Sequence, residues 1–238
     1  MKVQWQVTSL PAGVNWEDAS QILPKEHFVF YRQQNPALGS NLFRYRLLER
    51  RPGIWLDTDV LLMKPILAVG GQLFGWQDHN LINNAVLCLP CGSPILKDLI
   101  QYTSTYFPIP PFFSKRRRLM LVALKAIGRP VHVSQMPWGV WGPNALTYFV
   151  RSNGMEHQAV GSSVFYPIPY EHCLQLVEDN IHTVEQCFSE TTVAVHLWHS
   201  NLRRLTYIAS GGRCREPEIK RDSFLEYFCR TSLGLRLT

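Results

Sequence analysis

The run Gly53-Ile54-Trp55-Leu56-Asp57-Thr58-Asp59-Val60-Leu61-Leu62 constrains this chain more than any other stretch. Apolar residues suited to a buried strand are interrupted by two carboxylates spaced i, i+2. On a strand, side chains alternate faces, so Asp57 and Asp59 would leave the same side. Two acids side by side in apolar surroundings are costly unless a cation neutralises them. A hard divalent ion is the expected partner, since it accepts carboxylates and keeps positions open for water and substrate phosphates. The competing reading of an Asp-x-Asp is a turn or a helix cap. A turn should be followed by polar residues, whereas Val60, Leu61, Leu62 and Met63 follow here. Pro52-Gly53 supplies a turn before the run and Lys64-Pro65 ends it.

The 238 residues suffice for a single domain, 1–238, with a charged tail over 211–238 packing on it. No stretch of 18 apolar residues occurs, and Met1 to Gln6 holds no apolar core of a signal peptide, so the expectation is a cytoplasmic protein. The net charge of +6 suits anionic diphosphates, acidic glycans, a membrane surface or nucleic acid. No nucleic-acid-binding motif is present, so no nucleic-acid partner is expected. The densest basic patch, Lys115-Arg116-Arg117-Arg118, falls on a helix expected from about Phe113 to Ile127 and ended by Gly128-Arg129-Pro130. A solvated helix face is the plain reading of that patch, and peripheral contact with anionic lipid headgroups is the alternative. Cys88 and Cys91 have metal or redox spacing, but Cys173, Cys187, Cys214 and Cys229 are scattered, so all six read as reduced, packed thiols.

Periodicity and punctuation predict a strand over Val3–Val7, a turn at Pro11–Asn15, a short capped helix over Asp18–Pro24 and extended chain over Phe28–Tyr31, followed by a loop at Gln33–Pro36. A helix capped by Ser40 or Asn41 runs to about Arg50 and leads into the acidic strand. Gln72–Trp76 and Ala85–Leu89 read as strands and Pro94 to about Tyr106 as a helix. Strands are expected over Val131–Val133, Ser163–Tyr166 and Ala194–Trp198. Helices are expected over Ala145–Arg151, Glu171–Val177 and Phe224–Arg230. This mixture favours a layered α/β domain.

Ser40-Asn41-Leu42-Phe43-Arg44-Tyr45-Arg46-Leu47-Leu48, joined to Trp55-Leu56-Asp57-Thr58-Asp59, resembles the glycosyltransferases with a sugar-binding region containing the DXD motif. That family includes Golgi α-1,4-glycosyltransferases, yeast α-1,6-mannosyltransferases and bacterial polysaccharide enzymes. Leu81 to Leu87 with Gly92-Ser93-Pro94, Trp141-Gly142-Pro143, Phe165-Tyr166-Pro167-Ile168 and Ala194 to Trp198 resemble later family segments, in the family's order.

The resemblance implies a GT-A-like nucleotide-diphospho-sugar transferase fold, with a mixed central sheet and flanking helices. It also implies retaining transfer from a nucleotide-diphospho-sugar donor to a glycan acceptor, with Mn2+ or Mg2+ as cofactor. Asp57, Asp59 and His196 would hold the metal. Arg44 would act with the two acids, contacting sugar or phosphate. Asn41, Trp55, Asp78, Asn84 and Trp198 would contact the donor or acceptor, Trp198 from the same strand face as His196. His199 would face away. In a retaining reaction the departing phosphate can accept the acceptor's proton, so no separate base is required. This sequence departs from the family where Asn41 replaces the usual Asp and Arg51-Pro52-Gly53 replaces a Gly-Gly turn. The family's first βα unit normally precedes the segment resembling Met1 to Val7, so the resemblance implies either that this sequence starts late, through a misassigned start or truncation, or that this copy has lost donor binding. These departures support an alternative, a catalytically impaired relative that binds nucleotide-sugar or carbohydrate without turnover.

Overall fold

The computed structural model describes residues 13–31, 35–68 and 71–232. The expected strand at Val3–Val7, the start of the turn at Pro11 and the first half of the Gln33–Pro36 loop lie outside them. Asp18 caps a short 3-10 turn, Ala19–Gln21, by accepting from the Ser20 N–H at 2.9 Å. Phe28–Tyr31 forms no strand.

Helix α1 spans Ala37–Arg50. It begins before the expected cap because the Asn35 side chain accepts from the Ala37 N–H at 2.9 Å. Leu38, Asn41, Leu42, Tyr45 and Leu48 then fall on one buried face with helical spacing. Arg51 ends the helix with extended backbone (φ −134°, ψ 116°), as a residue preceding proline prefers.

The acidic run is not one strand. Strand β1 is Trp55–Leu56, the chain turns through Asp57–Asp59, and β2 is Val60–Leu62. Strands β3 (Leu73–Trp76) and β4 (Ile82–Cys88) form a hairpin, and β5 is Ala194–His196. Among the described residues two small sheets form. One has the order β1-β4-β3 and the other pairs β2 with β5, and every one of these ladders is antiparallel. The expected single mixed sheet is therefore corrected to two antiparallel ones, although an isolated parallel bridge joins Gly75 to Val160. The chain changes sheet at Thr58, with Leu56 opposite Val86 in the first sheet and Val60 opposite His196 in the second.

Helices α2 (Pro94–Tyr102), α3 (Lys115–Ala126) and α4 (Pro143–Ser152) follow, all at expected places. Helix α2 stops short of Tyr106, where Thr103 Oγ1 turns back onto the Leu99 carbonyl at 2.8 Å. Val131–Val133 forms no strand and leads into a 3-10 turn, Val133–Gln135. Ser163–Tyr166 is not a strand either: Ser162–Phe165 forms the single-turn helix α5. The helix expected near Glu171–Val177 is broken into a 3-10 turn, Tyr170–His172, and α6, Gln175–Glu178. Helix α7 is Ile181–Glu185, α8 is His199–Ala209 and α9 is Phe224–Ser232. Phe224, in the charged tail, is buried with Ile168, Leu176 and Val184. The cysteines are all free thiols.

Three clusters position the site. Tyr45, Phe74, Leu87, Ile95 and Leu146 fill the space between α1, the first sheet, α2 and α4. Val86, Phe165, Tyr166 and Trp198 pack on the sheet's other side. Leu38, Leu42, Leu121 and Trp141 join α1 to α3 and to the segment before α4.

Candidate metal centre and arginine groove

The centre lies where the two sheets meet. Asp57 and Asp59 sit on the turn between β1 and β2, closed by the Val60 N–H donating to the Asp57 carbonyl at 3.1 Å. Cross-strand pairing with Val60 brings His196 beside them from the far end of the chain. One ligand atom from each of Asp57, Asp59 and His196 can be chosen so that all three lie within 4.8 Å of one another. The two acids therefore converge, but through a turn and a second sheet. Strand alternation, the reason first offered for their shared direction, is not the cause.

Each acid already has a cationic or potentially cationic partner from the protein. Asp57 Oδ1 accepts from Arg44 Nη2 at 2.7 Å and from the Trp55 indole N–H at 2.6 Å. Asp59 Oδ1 lies 3.3 Å from His196 Nε2, and its Oδ2 accepts from the His199 backbone N–H at 3.1 Å. Burial acts to raise the Asp59 carboxyl, but the His196 side chain and the His199 N–H outweigh it and hold it at about 2. The side chains of Asp57 and Asp59 are 27% and 25% exposed, so water also reaches them. A metal is thus not required to make the acid pair tolerable.

The donor set nonetheless fits a divalent ion. Carboxylate oxygens with one imidazole nitrogen suit a borderline-hard cation such as Mn2+. Among the described residues no donor bonds Asp57 Oδ2, and each carboxylate oxygen has more than one lone pair. Among the described residues His196 Nδ1 is buried without a hydrogen-bond partner, so the ring is held by its Nε2 contact with Asp59 and by packing. That packing is tight: the Trp198 ring stands edge-on to the imidazole at a centroid distance of 4.0 Å.

Four expected substrate contacts face inward instead. Arg44 is buried, and its two terminal nitrogens go to the Asn84 carbonyl and to Asp57. Its bonds hold Asp57 in place. Glu49, on the same helix, pairs with Arg46 and not with Arg44. Asn41 and Asn84 are both buried and bond each other, Asn84 Nδ2 donating to Asn41 Oδ1 at 2.8 Å. Asn84 Nδ2 also reaches the Tyr45 hydroxyl, which in turn donates to the Trp141 carbonyl at 2.9 Å. Burial pushes that hydroxyl up to about 12, so it stays a neutral donor. Trp198 is buried and its indole N–H donates to the Ile168 carbonyl at 2.8 Å. It lies beyond β5 in the left-handed region (φ 53°), not on the strand face shared with His196.

Two more residues have local roles. Trp55 is half-buried, holds Asp57 and lies under the Arg44 guanidinium at 4.9 Å. Asp78 is exposed at the β3–β4 turn, where its Oδ1 accepts from the Asn80 and Leu81 N–H groups at 2.8 and 3.0 Å. It behaves as a turn acid.

Sequence reasoning missed α8. The left-handed Trp198 swings the chain out of β5 and directly into this helix, aiming the His199 N–H at Asp59. A bulky residue at positive φ is strained, and such strain gathers at functional sites. Beside it opens a shallow groove of about 350 Å³ lined by Asn35, His199, Ser200, Arg203, Arg204, Tyr207 and Arg215. Arg203 pairs with Glu216 at 2.9 Å, Arg204 bonds Asn201 Oδ1, and Arg215 lies over the Tyr207 ring at 4.8 Å. The Leu202/Leu205 spacing is too short a signal to have announced this helix. No protein-family model, curated protein or solved structure matches the chain.

Proposed function

We propose that this protein is a metal-dependent glycosyltransferase that moves a sugar from a nucleotide-diphospho-sugar to a glycan acceptor with retention of configuration. The observation that carries the reading is the convergence of Asp57, Asp59 and His196 within 4.8 Å, with the His199 residue that bonds Asp59 also lining an arginine groove. A carboxylate–imidazole set beside three guanidiniums is an arrangement suited to a diphosphate. A GT-A-like fold is part of this proposal, supported by the α/β architecture and the motif order.

Mn2+ or Mg2+ would be held by Asp57, Asp59 and His196, and would supply Lewis-acid neutralisation of the leaving diphosphate. The remaining work belongs to the chain. Arg44 and Trp55 fix Asp57 in one rotamer from one oxygen, leaving the other to face the ligand. The His199 N–H on Oδ2 and His196 Nε2 beside Oδ1 together fix the Asp59 carboxylate. Arg203, Arg204 and Arg215 give the groove the positive potential that draws in the donor.

A second reading, a relative that binds donor or carbohydrate without turnover, is favoured by one observation. Asn41, Asn84 and Trp198 are buried, and Asn84 Nδ2, Asn41 Oδ1 and the Trp198 indole N–H already bond inside the protein, which leaves little of them for sugar hydroxyls. The test is donor hydrolysis or sugar transfer with Mn2+ and UDP- or GDP-sugars, wild type against Asp59→Ala. A rate at least about 100-fold lower in the variant supports catalysis, and equal rates refute it. Calorimetric binding of the donor without any transfer selects the second reading.

A further inference from the structure

Helix α3 presents an apolar stripe to solvent. Leu119, Val122, Ala123, Ala126 and Ile127 recur at i, i+3, i+4, i+7 and i+8, and all are exposed. Leu119 is 69%, Val122 48% and Ile127 67% exposed. The opposite face carries Leu121, the helix's buried residue, which docks against Leu38, Leu42 and Val133. A helix that needed only its inner face would carry polar residues outside, as amphipathic surface helices do.

The same element carries the protein's excess charge. Lys115, Arg116, Arg117, Arg118, Lys125 and Arg129 lie between Asp98 and Glu156, a stretch without one Asp or Glu. With the chain at +6, the rest of it is close to neutral. Among the described residues none of these six cations enters a salt bridge; Arg117 instead lies over the Phe113 ring at 4.0 Å. Among the described residues no helix is long and apolar enough to cross a membrane.

We propose that α3 is an interfacial helix that docks this protein onto the surface of an anionic phospholipid bilayer. The charges select the occupant. Unpaired cations seek an anionic surface, and the five apolar side chains between them gain only where that surface offers hydrocarbon. A duplex nucleic acid would satisfy the first and leave the second in water. Lys115, Arg116, Arg118 and Lys125 meet the headgroups, while Leu119, Val122 and Ile127 enter the acyl boundary. The inference does not rest on the glycosyltransferase reading, because neither α3 nor its cations belong to the metal centre.

Vesicle co-sedimentation tests it, using phosphatidylcholine alone and phosphatidylcholine with one third phosphatidylglycerol. Wild type should pellet with the anionic vesicles and stay in solution with the neutral ones. Lys115→Ala, Arg116→Ala and Arg118→Ala should each weaken adsorption about fivefold. The double variant Leu119→Ser/Val122→Ser should weaken it by at least about tenfold while its melting temperature stays at the wild-type value, since both side chains are exposed in the free protein. No adsorption of wild type to anionic vesicles overturns the proposal. So does adsorption of the serine variant equal to wild type, which would mean a purely electrostatic patch. Displacement of bound protein by duplex RNA at equal phosphate concentration would equally overturn it and point to nucleic acid.

Discussion

Replacing Arg44 by Leu separates a buried positioning residue from a ligand-binding one. The guanidinium gives one charged hydrogen bond to the Asn84 carbonyl and one to Asp57. Hydrogen bonds to charged groups contribute about 1.5–3 kcal/mol each when buried. Two features reduce the total. Asp57 keeps the Trp55 indole and is 27% exposed, so it is not stranded as a carboxylate in a closed core would be. Among the described residues Arg44 Nε is buried without a partner, a cost that Leu relieves. The net expectation is a loss of about 2 kcal/mol, or a melting temperature lower by about 4–8 °C in a chain of this size. Thermal and urea unfolding measure it, alongside Asp57→Asn and the double variant. The cycle should return a coupling of about 1 kcal/mol between the two positions. A change in stability under about 0.5 kcal/mol, or a strictly additive cycle, would refute the assignment and return Arg44 to the ligand.

Mn2+ at one hundred times its dissociation constant should stabilise the wild type by about 2.7 kcal/mol in thermal unfolding and leave Asp59→Asn unmoved; a wild type indifferent to Mn2+ counts against the centre. The Asp59 carboxyl, held at about 2 against an ordinary 3.8, stabilises the fold fully above the ordinary value and loses that contribution as pH falls toward 2. Between pH 4 and pH 2 the wild type should therefore lose up to ~2 kcal/mol more stability than Asp59→Asn, and parallel losses in urea titrations would contradict the Asp59–His196 contact. Gly142→Ala should cost about 1–3 kcal/mol, because a Cβ there would lie 2.8 Å from the Asn41 amide nitrogen, whose side chain is tied to Asn84. An unchanged urea midpoint would show that this joint can yield.

Short-range signals in the sequence reached far into the fold. Pro52 dictates where α1 ends, since the residue before a proline is pushed out of helical backbone. Asn35 and Pro36 could have located its start, but the hydroxyl of Ser40 and the amide of Asn41 were the more conspicuous caps. Helices α2, α3 and α4 and strands β3 and β4 follow from apolar periodicity and flanking prolines. Ser163–Tyr166 reads as a strand because a short run such as Val164-Phe165-Tyr166 fits a helical turn as well as a strand, and only the packing of Phe165 on Gly75 separates them.

What the chain alone determined is the inventory: an α/β alternation, two acids within an apolar run, a basic apolar helix and a late His-Leu-Trp. Tertiary structure decided what each polar group meets. The β2–β5 pairing carries His196 to Asp59, and the strained Trp198 delivers the α8 N–H. Burial gives Arg44, Asn41 and Asn84 partners inside the protein, the Asn84 carbonyl and Asp57 for Arg44 and each other for the two amides. The physical reason is range. Backbone preferences are settled within a few residues, whereas the partner of a carboxylate or an amide is whatever the fold packs against it, and an unpartnered polar group inside a protein costs too much for that choice to be local.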